Sequence, residues 1–303
     1  MNINIVGRYR LWFSISAVLM MLGLFGFSYN YLVRGKLMNF GIDFTGGTEI
    51  TLRFDEKASI GNHIGEVRGV LTRFTLKDNV IQLTGEKDLT IRTEPLESDT
   101  RSRIIGELQK QFGGVELLEA DTIGPVIGKE LRTQAFWALL LATLGILIYV
   151  SFRFQFKYAV AATIALWHDA FITIGLVALL WKSVDVAFIA AILTILGYSI
   201  NDTIVIFDRI RENLLKPVKG VVDFEAVTNL SVTQTMARSI NTVLTVLFVN
   251  VCLFVFGGVT LKDFAFVLLI GFTLGTYSSI FIASPLLVLM EKNFGKQKVR
   301  RAR

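Results

Sequence analysis

The chain reads as an α-helical integral membrane protein that carries one small α+β domain outside the bilayer. Apolar residues make up 52% of its 303 positions and charged residues only 18%, and its mean hydropathy is +0.56. More telling, several stretches of 18 or more residues lack Lys, Arg and Glu and hold at most one Asp. Such a stretch crosses roughly 30 Å of hydrocarbon at about 1.5 Å per residue, whereas buried helices of soluble proteins are usually shorter.

Six spans are predicted, over Leu11–Val33, Ala135–Phe152, Tyr158–Trp181, Val184–Phe207, Ser239–Phe256 and Phe264–Met290. The first follows Arg8 and Arg10 like a signal peptide, but its apolar run of about 23 residues exceeds a normal signal core and no small-x-small cleavage site follows. It is expected to be retained as a helix. An even number of spans places both termini on one side.

Charge sets which side. Arg8, Arg10, Arg153, Lys157, Arg209, Arg211, Lys216, Lys219, Arg238, Lys292, Lys296, Lys298, Arg300, Arg301 and Arg303 all fall on one side of the predicted spans, against Lys182 and Lys262 in the short loops opposite. Positive short loops stay cytoplasmic. The organisation expected is therefore a cytoplasmic N-terminus and first helix over 1–34, an extracytoplasmic domain over 35–133, a five-helix region over 134–291 with a cytoplasmic loop at 208–238, and a basic tail over 292–303. The net charge of +6 resides in the membrane-flanking part, because Lys36 to Arg132 holds 13 basic and 16 acidic residues. Anionic lipid is the expected partner of that excess, and nucleic acid is not needed to explain it.

The segment between the first two spans carries its own pattern. Thr48–Phe54 alternates as a half-buried strand does, and Ile60–Phe74 changes to helical spacing through Ile64, Val67 and Leu71. Strands follow at Val80–Leu83 and Leu89–Thr93 around a turn at Thr84–Asp88, then a helix at Ser98–Phe112 and a strand at Val115–Ala120. The order βαββαβ predicts a ferredoxin-like α+β domain. Cys252 is the single cysteine, so the domain must cohere without a disulfide. No metal site is expected, since His63 and His168 are the two histidines and fall in different compartments. Nor does any motif ask for a cofactor.

Ahead of the first strand stands Gly41-Ile42-Asp43-Phe44-Thr45-Gly46-Gly47-Thr48. Its glycines permit positive φ and tight turns, and a turn in which Asp43 caps backbone N–H groups is the plain reading. The Lys-Ser/Thr ending of a phosphate-binding loop is missing.

Ionisable groups at membrane depth cost about 2.5 kcal/mol or more unless they face protein, water or a partner. Three positions qualify. Asp169, preceded by His168, falls near the middle of the third span; Asp202, preceded by Asn201, falls in the fourth; Arg238 stands at the entrance to the fifth. An Asp202–Arg238 pair between adjacent helices is expected, either as a static tie or as a switch released when the aspartate takes a proton. Gly271, Gly275, Ser279 and Ala283 recur every four residues in the sixth span and give it a flat face for helix packing.

The tract Gly197–Asn213, which reads GYSINDTIVIFDRIREN, closely resembles the fourth-helix signature of the SecF branch of the SecD/SecF family of protein-export membrane subunits. Gly41–Thr48 resembles that family's motif after the first helix. Further likeness appears in Ile123–Gly128, in Trp167-His168-Asp169 and in Gln234–Thr242, so that the resemblance spans the chain in order. It implies a multi-pass protein of the bacterial inner membrane that pairs with SecD, works with the SecYEG channel, and uses the proton-motive force to help a translocating polypeptide across. The family is related to the resistance-nodulation-division transporters. Carried over by motif, Asp202 and Arg238 match proton-relay positions, with Asn201, Asp169 and His168 beside them, while Gly41, Asp43, Gly46 and Gly47 form a structural or coupling motif. The SecD portion is absent from this sequence, so a separate partner is expected.

Three other readings compete. A proton-driven exporter of small amphiphiles would share the six-helix repeat and the buried carboxylate, but calls for a larger outer portion. An intramembrane hydrolase is disfavoured because Gly197-Tyr198-Ser199 lacks the last glycine of a nucleophile elbow and a histidine placed to activate the serine. A passive scaffold would use Asp202 and Arg238 only to cement helices.

Overall fold

The computed structural model describes residues 4–54, 60–76, 79–83, 87–216 and 223–294. In chain order the elements are α1 (Tyr9–Arg34), α2 (Ile42–Thr45), β1 (Gly47–Phe54), α3 (Ile60–Arg73), β2 (Val80–Leu83), β3 (Asp88–Thr93), α4 (Ser98–Phe112), β4 (Val115–Ile123), α5 (Pro125–Arg153), α6 (Phe156–Leu179), α7 (Val186–Leu215), α8 (Phe224–Phe256), α9 (Val259–Ser278), a π-helical turn at Ser279–Ala283, and α10 (Ser284–Phe294). They divide into two compact units, one of residues 40–136 and one of residues 1–39 with 137–303.

The smaller unit is an antiparallel sheet in the order β2-β3-β1-β4 with α3 and α4 on one face. This is the ferredoxin-like arrangement that the strand and helix order predicts. Alternation explains it. Ile50, Leu52 and Phe54 of β1 join Leu89 and Ile91 of β3, Val67, Val70 and Leu71 of α3, and Ile104 and Leu108 of α4 in one buried apolar cluster. The intervening residues of β1 pair across the sheet instead. Thr51 lies opposite Thr90 with their hydroxyls 3.3 Å apart, and Arg53 lies opposite Asp88, donating to both carboxylate oxygens at 2.8 and 3.0 Å. The Asp88 hydrogen bonds hold the Arg53 guanidinium above its ordinary pKa. Sequence-predicted boundaries agree to within a few residues, and the expected turn at Thr84–Asp88 falls partly outside the described residues.

The larger unit contains helices long and apolar enough to cross a membrane: Val6–Arg34, Phe156–Leu179, Val186–Leu215, Phe224–Phe256 and Leu261–Asn293, with Pro125–Arg153, most of which belongs to this unit, as the sixth. The apolar runs that predicted the spans are only their middles. The stretch 208–238, expected as a loop, is helical at both ends, since α7 continues to Leu215 and α8 begins at Phe224. Polar pairing extends these helices past the hydrocarbon: Arg209 reaches Glu212 and Gln234, and Asn213 donates to Ser231 and Gln234, each at 2.9 Å for the asparagine. In the same way α5 begins at Pro125 rather than Ala135.

Small residues set the packing. α1 lies on α6 so closely that a Cβ added to Gly175 would fall 2.5 Å from the Cα of Gly23. α9 packs against α6, α7 and α8. One end of the bundle gathers the ion pairs Arg153–Asp208, Lys157–Glu291 and Lys292–Glu225, and there the backbone N–H groups of Ile5 and Val6 donate to Asn229. At the other end Lys182 pairs with Asp263, and the Arg34 guanidinium lies 4.1 Å from the centre of the Trp181 ring.

Candidate functional site: two polar clusters in the helix bundle

The third, fourth and sixth spans meet around Asp169, one of the two acids that the sequence singles out. Asp169 on α6 is fully buried. Its Oδ1 lies 3.0 Å from Nδ1 of the preceding His168, and its Oδ2 accepts from Ser199 of α7 at 2.7 Å and from Ser278 of α9 at 2.6 Å. Three helices thus converge on one carboxylate. The His168 ring stacks on Tyr277 with centroids 6.4 Å apart, and Tyr277 donates from its hydroxyl to the Trp12 carbonyl of α1 at 2.8 Å. Among the described residues Nε2 of His168 is buried without a hydrogen-bond partner.

A layer of hydroxyls continues from this cluster. Thr203 and Ser279 approach to 2.8 Å, and the Ser279 hydroxyl also faces the Gly275 carbonyl at 2.8 Å and the Ser199 carbonyl at 3.3 Å. Glycine makes the contact possible. A Cβ on Gly275 would lie 2.9 Å from the Ser199 Cβ, and one on Gly271 would overlap Ile195. The recurrent small residues of the sixth span therefore face α7.

Asp202 occupies a second cluster, one turn along α7 and about 60° around its axis from Ser199. It is half-buried, and its Oδ1 accepts from Ser239 of α8. Arg238, the expected partner, does not pair with it: among the described residues no ion pair joins the two, and Arg238 is exposed. The reason is angular, since successive residues of a helix point about 100° apart and only one of Arg238 and Ser239 can face α7. Asn201 is exposed on the same outer flank, and Asp202 Oδ2 is buried without a hydrogen-bond donor among the described residues.

The Gly41–Thr48 motif belongs to the other unit. Gly41 caps α2, a single turn that carries Asp43, and the chain leaves it through Gly46 at φ +72° and Gly47 at φ +130°, conformations that side chains disfavour. Space forbids them too. A Cβ on Gly47 would sit 2.4 Å from the Thr93 carbonyl, one on Gly46 would sit 3.0 Å from Pro125, and one on Gly128 would sit 3.0 Å from the Gly46 nitrogen. The motif is a backbone clasp between the first strand and the start of α5. The N-cap position of the turn is Gly41, in extended backbone, and Asp43 stands in its first turn.

The hydroxyls that meet the acids are not assigned that role from the sequence: Ser278, Thr203, Ser239 and Tyr277 are passed over, and Ser199 is weighed only as a nucleophile. Their signal was available as polar residues inside apolar runs, but which of them faces an acid depends on how the helices pack.

No metal-binding group of three or more His, Cys, Asp or Glu residues occurs among the described residues. Residues 104–293 match the family described as protein export membrane protein SecD/SecF, C-terminal, and residues 38–58 match the SecD/SecF GG motif. The chain is 39% identical over 295 residues to the protein translocase subunit SecF of Thermodesulfovibrio yellowstonii, covering 96% of both. It is 37% identical over 290 residues to the protein of that name from Pseudomonas aeruginosa, covering 95% of this chain and 91% of that one. Among solved structures it is similar to SecDF, a translocon-associated membrane protein from Thermus thermophilus, with a TM-score of 0.82 and 34% identity over 96% of this chain. It spans 39% of the length of that structure. Near-complete coverage by these relatives, together with matches to both family motifs, shows that the chain belongs to the SecD/SecF family of protein-export membrane proteins.

Proposed function

We propose that the chain acts as a SecF-type subunit that pairs with a SecD-type partner, works with the SecYEG channel in the bacterial inner membrane, and uses the proton gradient to promote movement of an exported polypeptide. Its role is transport rather than catalysis. The likeness to relatives named as translocase subunits, over nearly their whole length, and to SecDF supports this reading. The termini lie in the cytoplasm and the ferredoxin-like domain outside, a placement supported by the basic residues at one end of the spans and their fit to anionic lipid.

Asp202 takes up and releases the proton, with Arg238 and Asn201 beside it and the His168–Asp169 pair further inside. The observation that carries this assignment is the Asp202 carboxylate itself: one oxygen is held by Ser239, the other is buried without a donor among the described residues, and the flank of α7 next to it is exposed. A carboxyl group in that state is completed by a proton or by a partner's donor. Arg238, which makes no ion pair among the described residues, is near enough to bias its charge. Gly41, Asp43, Gly46 and Gly47 serve as the clasp that couples the first strand to α5.

The test replaces Asp202 with Asn, which preserves shape and hydrogen bonding but removes the titrating group. Membrane abundance and association with a six-helix partner should survive, while gradient-dependent release of exported precursors should disappear. Arg238→Lys should retain partial activity, because an ammonium does not reproduce the planar guanidinium. An Asp202→Asn subunit that assembles and still responds fully to the gradient overturns the assignment.

A further inference from the structure

Ser278 and Ser279 have two sets of acceptors each and one proton each to give. The Ser278 hydroxyl lies 2.6 Å from Asp169 Oδ2 on α6 and 3.1 Å from the Gly275 carbonyl of its own helix. The Ser279 hydroxyl faces the Gly275 carbonyl at 2.8 Å within its helix, and the Ser199 carbonyl at 3.3 Å and the Thr203 hydroxyl at 2.8 Å across to α7. A hydroxyl donates one hydrogen bond, so Ser278 selects between tying its helix to α6 and satisfying its own backbone, whereas Ser279 can donate to Gly275 while accepting from Thr203. The selection at Ser278 depends on whether Asp169 Oδ2 accepts.

An ionised carboxylate has room for all the donors aimed at it, from His168, Ser199 and Ser278. A neutral acid protonated on Oδ2 becomes a donor there and competes with Ser199 and Ser278. Ser278 then has the Gly275 carbonyl to turn to. The backbone that follows is suited to such a change, because the next five residues, Ser279–Ala283, form a π-helical turn, whose Ser279 carbonyl accepts from the Ser284 hydroxyl at 3.0 Å. Single π turns inside helices interrupt the regular ladder and are frequent at functional sites.

The same helix carries both acids' contacts. Ser199 and Thr203, four residues apart, form the stripe of α7 held by Asp169 and Ser279, and Asp202 is set 60° from Ser199 around the axis by the 100° step of a helix. We infer that Asp169, with Ser199 and Ser278, is a charge-dependent latch that fixes the rotation of α7 and thereby positions Asp202 against Ser239. The inference rests on the proposed proton coupling and deepens it: Asp169 is a positioning residue, and Asp202 the group it positions. The titratable groups around the latch are His168 on α6 and Tyr277 on α9, whereas α7 contributes Ser199 and Thr203 and α1 contributes Ser16, none of which titrates.

The experiment reads the rotation itself, without export. Spin labels are placed on the full chain in lipid nanodiscs at two exposed positions, Thr194→Cys on α7 and Ile164→Cys on α6, in a Cys252→Ser background, and their separation is measured at pH 8 and pH 5. A single distance is expected at pH 8 and a second population at pH 5, displaced on the order of 2 Å as helix shifts usually are. Asp169→Asn should give the same distribution at both values, and Ser278→Ala should show the second population already at pH 8. Asp202→Asn should leave the pH response intact, so a failed proton relay at Asp202 does not sink the latch. A wild-type distance that does not respond to pH overturns the inference, and so does a response that persists in Asp169→Asn. Should Asp169→Asn fail to accumulate, Ser278→Ala decides, and a wild-type profile in that variant overturns the latch.

Discussion

The two units are built to opposite rules. In residues 40–136 Ile, Leu, Val and Phe form the buried core between sheet and helices, and the buried polar groups are those of the sheet, such as Thr51, Thr90 and Asp88, which pair across strands as Arg53–Asp88 and Glu49–Arg92 do. In the bundle the outward positions include Leu11, Phe25, Leu141, Phe248 and Phe256, while Ser16, Asn30, Asp169, Ser199, Thr228 and Ser231 are buried. Solvent explains the inversion. Water makes burial of apolar surface the driving force in the small unit. In hydrocarbon an apolar side chain gains nothing by turning inward, so helices associate through close small-residue packing and polar contacts.

The contrast is sharpest at the close contacts. Gly275→Leu drives a side chain into Ser199, and we expect no folded subunit to accumulate in membranes, whereas a leucine at exposed Gly65 of the small unit, where no atom lies within 4 Å, should leave abundance unchanged. Immunoblotting of membrane fractions against total protein separates the two. Equal abundance would show that α7 and α9 do not pack at glycine.

A core truncation comes next. Residues 40–136, expressed alone, should fold without metal or disulfide, and Leu52→Ala should lower their stability by about 2–5 kcal/mol, the usual cost of emptying a fully buried leucine site. Urea unfolding followed by circular dichroism measures it. An unfolded isolated segment would mean that its core is completed from outside.

Asn30 gives the corresponding measurement for a buried polar group. Its amide donates to the Ala178 carbonyl at 2.6 Å, joining α1 to α6. Asn30→Leu should weaken the bundle by about 0.6–2 kcal/mol, as interhelical hydrogen bonds in membranes do, visible as a lower thermal midpoint in detergent. A raised midpoint would return the bundle to the rule that governs water-soluble cores.

The smallest effect belongs to the exposed face of α4. Glu107→Gln removes the carboxylate 4.0 Å from Lys110 and should cost less than about 1 kcal/mol in the isolated unit, with the difference shrinking at high salt. A larger, salt-independent loss would mark that face as desolvated.

How much of this was legible follows the same division. The strand at Thr48–Phe54 could be read because alternation in water-soluble structure reports burial directly, and the four-strand arrangement followed from the order of elements. The spans were legible from their apolar runs, but their ends were not: polar stretches such as Asp208–Leu215 and Phe224–Arg238 continue as helices through pairing with one another, which apolarity does not record. Asp169 and Asp202 stood out because charge inside a span is rare and costly.

The sequence by itself determined that the chain spans a membrane, where its polar residues cluster, and that the segment between the first two spans is an α+β unit, because hydropathy and period are properties of neighbouring residues. Only the tertiary structure decided which hydroxyl meets which acid. Ser239 rather than Arg238 faces Asp202, and Ser199 with Ser278 meets Asp169, because rotation about each helix axis is fixed by packing at Gly23, Gly175, Gly271 and Gly275, between residues far apart in the chain.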